Sequence, residues 1–423
     1  RHLGGQTTVE ERLEVINRII AEYQNRMGDL AAAVTEEMGS PVGLTNAAQV
    51  PIGLGHLMTA AAQLPGFSFS EDRGGHRIVK EPIGVCGFIT PWNWPLNQVM
   101  CKVAPALAMG CTMVLKPSEV APFSAAIVAE IFDAAGVPAG VFNLVNGDGP
   151  GVGSALAAHP RHRHDLVHRL HPRWHRGRQD RGAVGQARRP GTRRQEPEHH
   201  PRRRGLREER RRRHRGDDDE LRPVVQRPPE PHARTVRTPR RGRRDREVGR
   251  AEHHRRRPDD RGPARPGGLR GAVREDPGTH RAGDRRRSDP PVIGGAGRPE
   301  GLETGYYVKP TVFTNVTNDM EIARTEVFGP VLVVIAYDSI DEAIKIGNDT
   351  EYGLAGYVSG KDLDEVRRIG SRIRAGSIGL NGATVDPVAP FGGYKKSGNG
   401  REWGGDYAFD EFLEVKSLLG YGA

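Results

Sequence analysis

The 423-residue chain predicts an α/β fold, with two units built on parallel sheet and a small projecting hairpin. Three observations carry that prediction. Apolar strands alternate with helical runs from Glu81 to Val145, and the same alternation returns from Val331 to Asn381. Between Gly66 and Lys80, two short runs flank Asp72-Arg-Gly-Gly75, the pattern of a hairpin. Apolar strands separated by helices of this length imply a parallel sheet covered on both faces.

Taken in order, the first 45 residues read as helical. Thr8 and Glu11 make a capping box, Leu13, Ile16 and Ile20 form one apolar face, and Gly39-Ser-Pro41 ends a second helix. The first α/β unit then runs strand Val85 to Ile89, helix Leu96 to Met109, strand Cys111 to Leu115, helix Phe123 to Ala135 and strand Val141 to Val145. The second runs strand Val331 to Ile335, helix Ile340 to Asn348, strand Gly353 to Val358, helix Leu363 to Ile373 and strand Ser377 to Asn381. No internal repeat is detectable.

Between the two units the composition changes abruptly. Arg161 to Pro290 holds 41 Arg and 12 His in 130 positions, with no Lys, Ile, Phe, Tyr, Met, Asn or Cys. Nearly every residue there is Arg, His, Gln, Pro, Leu, Gly, Ala, Val, Asp or Glu, types whose codons begin with G or C. In a GC-rich gene the third codon base is nearly always G or C, so reading one base out of register makes that base the first of each apparent codon. The stretch therefore reads as a wrong-frame translation. Sliding the frame one base turns Arg193 to Leu206 into Gly-Gly-Lys-Ser-Pro-Asn-Ile-Ile-Leu-Asp-Asp-Ala-Asp. The same shift turns Arg161 to His171 into Asp-Ile-Asp-Met-Ile-Ser-Phe-Thr-Gly-Ser-Thr, and Asp219 to Pro228 into Met-Asn-Ser-Gly-Gln-Ser-Cys-Asn-Ala. Codon degeneracy does not supply three ordered motifs by accident.

Charge misleads until this stretch is set apart. The chain totals +10, but the central segment has 41 Arg against 20 acidic residues, leaving 22 basic and 33 acidic residues elsewhere. The flanks therefore describe a mildly acidic enzyme with room for two or three domains, not a basic protein aimed at nucleic acid or a membrane surface. Cys86, Cys101 and Cys111 lack metal-ligand spacing and sit among apolar residues, which fits a reducing compartment and a cytoplasmic location. No apolar run nears the roughly 20 residues that span a bilayer, and the residues from Arg1 onward do not read as a signal peptide, with an N-terminal piece expected to be missing.

Several motifs can carry chemistry, each beside a structural alternative. Thr90-Pro-Trp-Asn-Trp-Pro95 follows a strand and enters a helix, where open α/β sheets place ligands. It reads either as an oxyanion site, with the Asn93 amide as donor, or as a Pro-rich turn around a buried Trp. In Leu115-Lys-Pro-Ser-Glu119, Lys116 and Glu119 either hold the hydroxyls of an adenosine ribose or form a solvated turn. A carboxylate there accepts from a 2′-hydroxyl and repels a 2′-phosphate, which favours NAD over NADP. Gly147-Asp-Gly-Pro-Gly-Val-Gly153 is a weak phosphate-cradle signal that a plain turn matches equally. In Glu326-Val-Phe-Gly-Pro330, Glu326 and Phe328 read either as contacts to a nicotinamide ribose and ring or as a turn with a core Phe. Pro390 to Gly398 reads as a functional or a merely flexible loop.

As an ordered set, TPWNWP, LKPSE, EVFGPV, NDTEYGLAG and PFGGYKKSGNGRE resemble the NAD(P)-dependent aldehyde dehydrogenase superfamily over Thr7 to Pro160 and Val292 to Gly420. The shifted frame adds that family's FTGST, GGKSPN and GQSC. The resemblance implies an aldehyde dehydrogenase-like α/β fold: a Rossmann-like parallel-sheet cofactor domain, an α/β catalytic domain and a small oligomerisation hairpin. The NAD-binding domain is expected at 1–65 and 81–194, the oligomerisation elements at 66–80 and 409–423, and the catalytic domain at 195–408. Asn93 matches the oxyanion asparagine with Trp92 beside it, Lys116 and Glu119 match the adenosine-ribose contacts, and Glu326 and Phe328 match the nicotinamide side. In the intact family a cysteine thiolate attacks the aldehyde, hydride passes to NAD, and a carboxylate-activated water hydrolyses the thioester to the acid.

The departures are severe. The family's nucleophilic cysteine is encoded across the Val225 and Gln226 codons and its general-base glutamate across Gly191 and Thr192, so the chain as written has neither. About 50 to 60 residues that members carry before Thr7 are expected to be missing. An Arg-rich run of this kind buries too little apolar area to offset its chain entropy, so it is expected to be disordered or poorly packed. The resulting expectation is NAD-preferring aldehyde oxidation by the intact gene product, with two compensating frame shifts near residues 160 and 291. The expected partners are an aldehyde and a second copy of the chain in a dimer or tetramer, without nucleic acid or membrane. The alternatives are a catalytically dead scaffold with a nucleic-acid-binding insert, or a pseudogene product. The segment Asn381 to Val388, with Thr384 and Val385, is expected to touch substrate.

Overall fold

The structure is a computed structural model that describes residues 7–159, 164–167, 235–237, 293–304, 307–383, 386–398 and 400–422, with backbone alone at 164–167 and 235–237. The expectation of poor packing across Arg161 to Pro290 otherwise falls outside the described residues, as do Thr384, Val385 and the four positions assigned to the missing thiol and base.

Helix α1 (Val9–Asn25) opens on the expected capping box. The Thr8 hydroxyl accepts from Glu11 N at 3.2 Å and the Glu11 carboxylate accepts from Thr8 N at 2.7 Å. Its buried stripe shares only Ile16 with the expected face: Arg12, Ile16, Ile19 and Tyr23 face inward, while Leu13 and Ile20 are only partly covered. Arg12 can sit there because its guanidinium donates to the Thr7 carbonyl at 3.0 Å and lies over the Phe69 ring. Helix α2 (Met27–Met38) ends at Gly39, whose φ of +69° supplies the left-handed cap. A short α3 (Val42–Leu44) and a π-helical turn then lead into α4 (Val50–Gln63), a helix that sequence reading does not assign.

Strands β3 (Val85–Ile89), β4 (Thr112–Lys116), β5 (Phe142–Leu144) and β6 (His164–Val167) form a parallel sheet in the order β5-β4-β3-β6. Helix α5 (Pro95–Ala108) connects β3 to β4, α6 (Phe123–Ala134) connects β4 to β5, and the short α7 (Ser154–Ala158) precedes β6. These are the right elements in the predicted places. Glu37 caps α6 from a distance, accepting from Phe123 N and from the Ser124 hydroxyl. Strands β1 (Ser70–Arg73) and β2 (His76–Pro82) form the predicted hairpin, and β12 (Leu413–Leu418) adds antiparallel to β2. The hairpin and the C-terminal tail are thus one three-stranded sheet.

In the second half, β8 (Thr311–Phe313) and β9 (Val331–Ala336) pair in parallel, with β7 (Thr235–Arg237) on the other side of β9. Strands β10 (Ala355–Val358) and β11 (Ser377–Leu380) form a separate parallel pair. Helix α8 (Glu321–Arg324) precedes β9, α9 (Ile340–Asn348) lies between β9 and β10, α10 (Leu363–Gly370) between β10 and β11, and α11 (Asp406–Asp410) before β12.

Every residue of α5 is buried, so it runs as a core helix against α4 and the sheet. Its charged member, Lys102, is 0 % exposed and forms an ion pair with Glu402 at 2.8 Å. Burial works against the Lys102 charge, but its neighbours outweigh that and hold it protonated. Cys101 is therefore not in purely apolar surroundings as the sequence suggests: its sulfur lies 3.4 Å from Lys102 Nζ and 3.4 Å from Glu402 Oε2. One turn earlier, the Asn97 Oδ1 meets the His56 Nε2 at 2.8 Å. Burial pushes His56 down to about 4, against the opposing effect of the Asn97 hydrogen bond.

Two outcomes follow from this packing. Glu402→Gln leaves the Lys102 charge buried and unpaired, and should lower unfolding free energy by about 3 kcal/mol or more in denaturant titrations, whereas Lys102→Met with Glu402→Met should lower it less. His56 takes up its proton near 6.5 when unfolded but only near 4 when folded. Its contribution is therefore intact above pH 6.5 and is lost as pH falls toward 4, by up to about 3 kcal/mol. Urea midpoints should fall over that window in the native sequence, and by less in His56→Gln.

Candidate functional site

The sheet brings two of the predicted motifs to adjacent strand ends. Ile89 lies in register with Lys116, and Thr90 N donates to the Lys116 carbonyl at 3.1 Å. The turn that carries Trp92 and Asn93 therefore leaves the carboxyl edge of β3 beside the Lys-Pro-Ser-Glu turn at the carboxyl edge of β4, where open parallel sheets bind ligands. Asn93 is buried at the entrance to α5. The residue after it, Trp94, has φ +53°, a left-handed conformation that a bulky side chain adopts only under constraint. Pro95 then fixes the first helical turn, where its missing N–H costs nothing.

On the β4 side, Lys116 Nζ donates to Glu119 Oε2 at 2.8 Å, with Lys116 2 % exposed and the Glu119 side chain 48 % exposed. Gly149 N donates to the other carboxylate oxygen at 3.4 Å. Burial raises the Glu119 pKa, but the Lys116 hydrogen bond and backbone N–H groups together lower it further, so the carboxyl sits below the ordinary range. The Gly-rich segment thus joins this site: Gly149–Gly153 is a π-helical turn, and a Cβ built at Gly153 would lie 4.0 Å from Lys116 Cδ. Turns of this kind recur at functional sites.

Phe328 reaches the β3 side from the second half of the chain. Its ring meets Trp92 edge-on, with centroids 5.7 Å apart and planes at 77°. Phe328 has φ +54°, again a left-handed bulky residue, so two such residues flank Asn93 and Trp92. Glu326, two residues earlier, is partly buried. No described contact joins the Lys116–Glu119 pair directly to Phe328.

Pro390 to Gly398 is tied in rather than loose. Phe391 and Glu402 exchange backbone hydrogen bonds at 2.6 Å, Ser397 Oγ accepts from Gly353 N at 3.0 Å, and Phe391 stacks on Trp403. This pairing is what delivers Glu402 to Lys102. Sequence reading misses Lys102, Glu402 and His56, although a lone Lys in an otherwise uncharged helix is a usable signal, since buried Lys is almost always paired.

None of the three cysteines lies at the strand ends that carry these motifs. Cys86 is the second residue of β3 and Cys111 precedes β4, so both lie at the amino end of the sheet, opposite Asn93. Cys101 is inside α5, and burial pushes its thiol well above the usual range, which leaves it a poor nucleophile. Among the described residues, no group of His, Cys, Asp and Glu could hold a metal ion. No helix among them is long and apolar enough to cross a membrane.

Comparison with known proteins gives the family and agrees with the fold. The aldehyde dehydrogenase family matches residues 4–164 and 286–418. A 3-succinoylsemialdehyde-pyridine dehydrogenase from a Pseudomonas species is 44% identical over 428 residues, covering 98% of this chain and 87% of that protein. A putative aldehyde dehydrogenase of Staphylococcus epidermidis is 41% identical over 454 residues, with the same coverage of 98% and 87%. The crystal structure of a mutant aldehyde dehydrogenase C from Pseudomonas syringae, complexed with NAD+ and octanal, superposes with a TM-score of 0.73 at 33% identity, covering 99% of this chain and 86% of that one. The NAD+ complex of a Mycobacterium tuberculosis aldehyde dehydrogenase gives a TM-score of 0.71 at 26% identity, covering 98% and 86%. With adjacent strand ends presenting Asn93 and the Lys116–Glu119 pair, and with family matches on both sides of the Arg-rich centre, the chain belongs to the aldehyde dehydrogenase family.

Proposed function

We propose that the intact gene product oxidises an aldehyde to a carboxylic acid with NAD in preference to NADP, and that the chain as written does not turn over. The observation that carries the first part is the placement of Asn93 and the Lys116–Glu119 pair on neighbouring strand ends, with Phe328 against Trp92. The residues present fit an adenine dinucleotide. Lys116 is already paired and Glu119 is half exposed, so the carboxylate can accept from ribose hydroxyls without a new charge being buried. The partly negative rim disfavours a 2′-phosphate. Glu326 would hold the nicotinamide ribose and Phe328 would pack beside the ring. When bound, the nicotinamide supplies the hydride acceptor. Asn93, buried on a strained turn, is pre-set to donate to an oxyanion as it develops at the carbonyl oxygen, which is the role a fixed amide performs best.

The second part rests on what is missing. The three cysteines are buried and none adjoins Asn93 in sequence or strand position, while the family match stops at 164 and resumes at 286, bracketing the compositional break. The shifted frame supplies a Gly-Gln-Ser-Cys thiol and a carboxylate, which would split acyl transfer and hydrolysis into two lower barriers. The NAD-binding domain is assigned to 1–65 and 81–194, the catalytic domain to 195–408, and the oligomerisation elements to 66–80 and 409–423. The sheet β1-β2-β12 suits the last role, since β12 is an edge among the described strands and exposes Val415, with Leu419 exposed just beyond it. A cytoplasmic homo-oligomer is the setting this reading assigns.

The test compares the chain as written with the frame-restored protein, assayed for aldehyde-dependent NADH formation across aliphatic and aromatic aldehydes. Only the restored protein should turn over, and Asn93→Ala in it should lower kcat by about a hundredfold or more. Turnover by the chain as written would overturn the inactivity reading, and a silent restored protein would overturn the activity itself.

A further inference from the structure

The Glu119 carboxylate is not the only one on the Gly149–Gly153 turn. Asp148 caps it from the other side, its Oδ1 accepting from Gly151 N at 2.8 Å while its own carbonyl accepts from Gly153 N at 3.1 Å. Glu119 Oε1 takes Gly149 N, two residues away. Two carboxylates therefore converge on one five-residue turn, and the turn itself abuts the Lys116 side chain through Gly153. Both are accessible: Asp148 is exposed and Glu119 is about half so. The neighbouring cation, Lys116, is already engaged by Glu119. From Pro117 to Pro160 the sequence contains neither Lys nor Arg, so the turn and its flanks bring no cation of their own to a 2′-phosphate.

We infer that Asp148 is a cofactor-selecting residue, the second carboxylate that, with Glu119, turns away a dinucleotide bearing a 2′-phosphate. This rests on the cofactor reading given above and adds to it a residue that makes no contribution to holding NAD. The physical basis is like-charge repulsion at a solvent-exposed rim, screened by salt and acting on the phosphate and not on a neutral 2′-hydroxyl. Glu119 both accepts from the ribose and repels the phosphate, whereas Asp148 only repels. The two roles separate in the variants.

The experiment is equilibrium binding of NADH and of NADPH, read by the fluorescence of the bound nicotinamide, in the full chain and in the frame-restored protein. Asp148→Asn and Asp148→Ser keep the turn capped, because both side chains still accept from Gly151 N. In each, NADH affinity should hold while NADPH affinity rises about tenfold at low salt, and the gain should shrink as ionic strength rises. Glu119→Gln should instead weaken NADH as well. If Asp148 is only a cap, Asp148→Asn will leave the NADPH-to-NADH ratio unchanged and Asp148→Ala will weaken both alike, which overturns the inference and leaves the cofactor reading standing. If neither protein binds NADH, the cofactor reading falls and takes the inference with it.

Discussion

Helix α5 has no solvent-facing residue, and the buried ion pair between its Lys102 and Glu402 decides how the rest of the molecule must close around it. Removing two charges from water costs several kcal/mol each, and only close, hydrogen-bonded partners offset that. Glu402 is therefore held in place by reciprocal backbone bonds to Phe391, and Trp403 beside it is locked between Phe391 and His56. The C-terminal segment that carries these residues continues through α11 into β12 and the hairpin sheet. One buried pair thus couples the core helix, the Pro390 loop and the three-stranded sheet.

The same helix bears on the proposed chemistry. Asn93 stands at its entrance, and α5 cannot shift along its axis without dragging Lys102 away from Glu402. That rigidity would serve the oxyanion donor proposed for Asn93, whose value lies in being aligned before charge develops. The left-handed conformations at Trp94 and Phe328 are consistent with a site whose geometry is imposed by its surroundings. On the neighbouring strand Lys116 is buried while its partner Glu119 is about half exposed, which leaves the carboxylate open to the ligand hydroxyls of the proposed reading.

Much of the fold is legible in the sequence because its signals are local. Strand β3 and helix α9 begin and end where apolar periodicity places them, and the Thr8–Glu11 box and Gly39 cap are readable in a few residues. What escapes depends on distant partners. Arg12 lies on the inward face of α1 because Phe69 and the Thr7 carbonyl receive it, and Glu37 caps a helix that begins 86 residues later. Helix α4 is missed because its Gly and Pro content argues against a helix until packing on α5 overrides propensity. For the site, the motifs point to Asn93, Lys116, Glu119 and Phe328 but not to the proximity of Phe328 to Trp92, which only the folded chain brings about. The Gly149 turn is a weak phosphate signal in sequence, and its hydrogen bond to Glu119 is what ties it to the site.

The central stretch is where sequence and family part, and the gene itself is the most direct test of why. Sequencing the DNA across codons 155 to 295 should reveal a single-base insertion or deletion near each end, with a Gly-Gln-Ser-Cys motif between them once the frame is restored. DNA that encodes the Arg-rich text without such shifts would contradict the out-of-frame reading and leave a family member with neither thiol nor base.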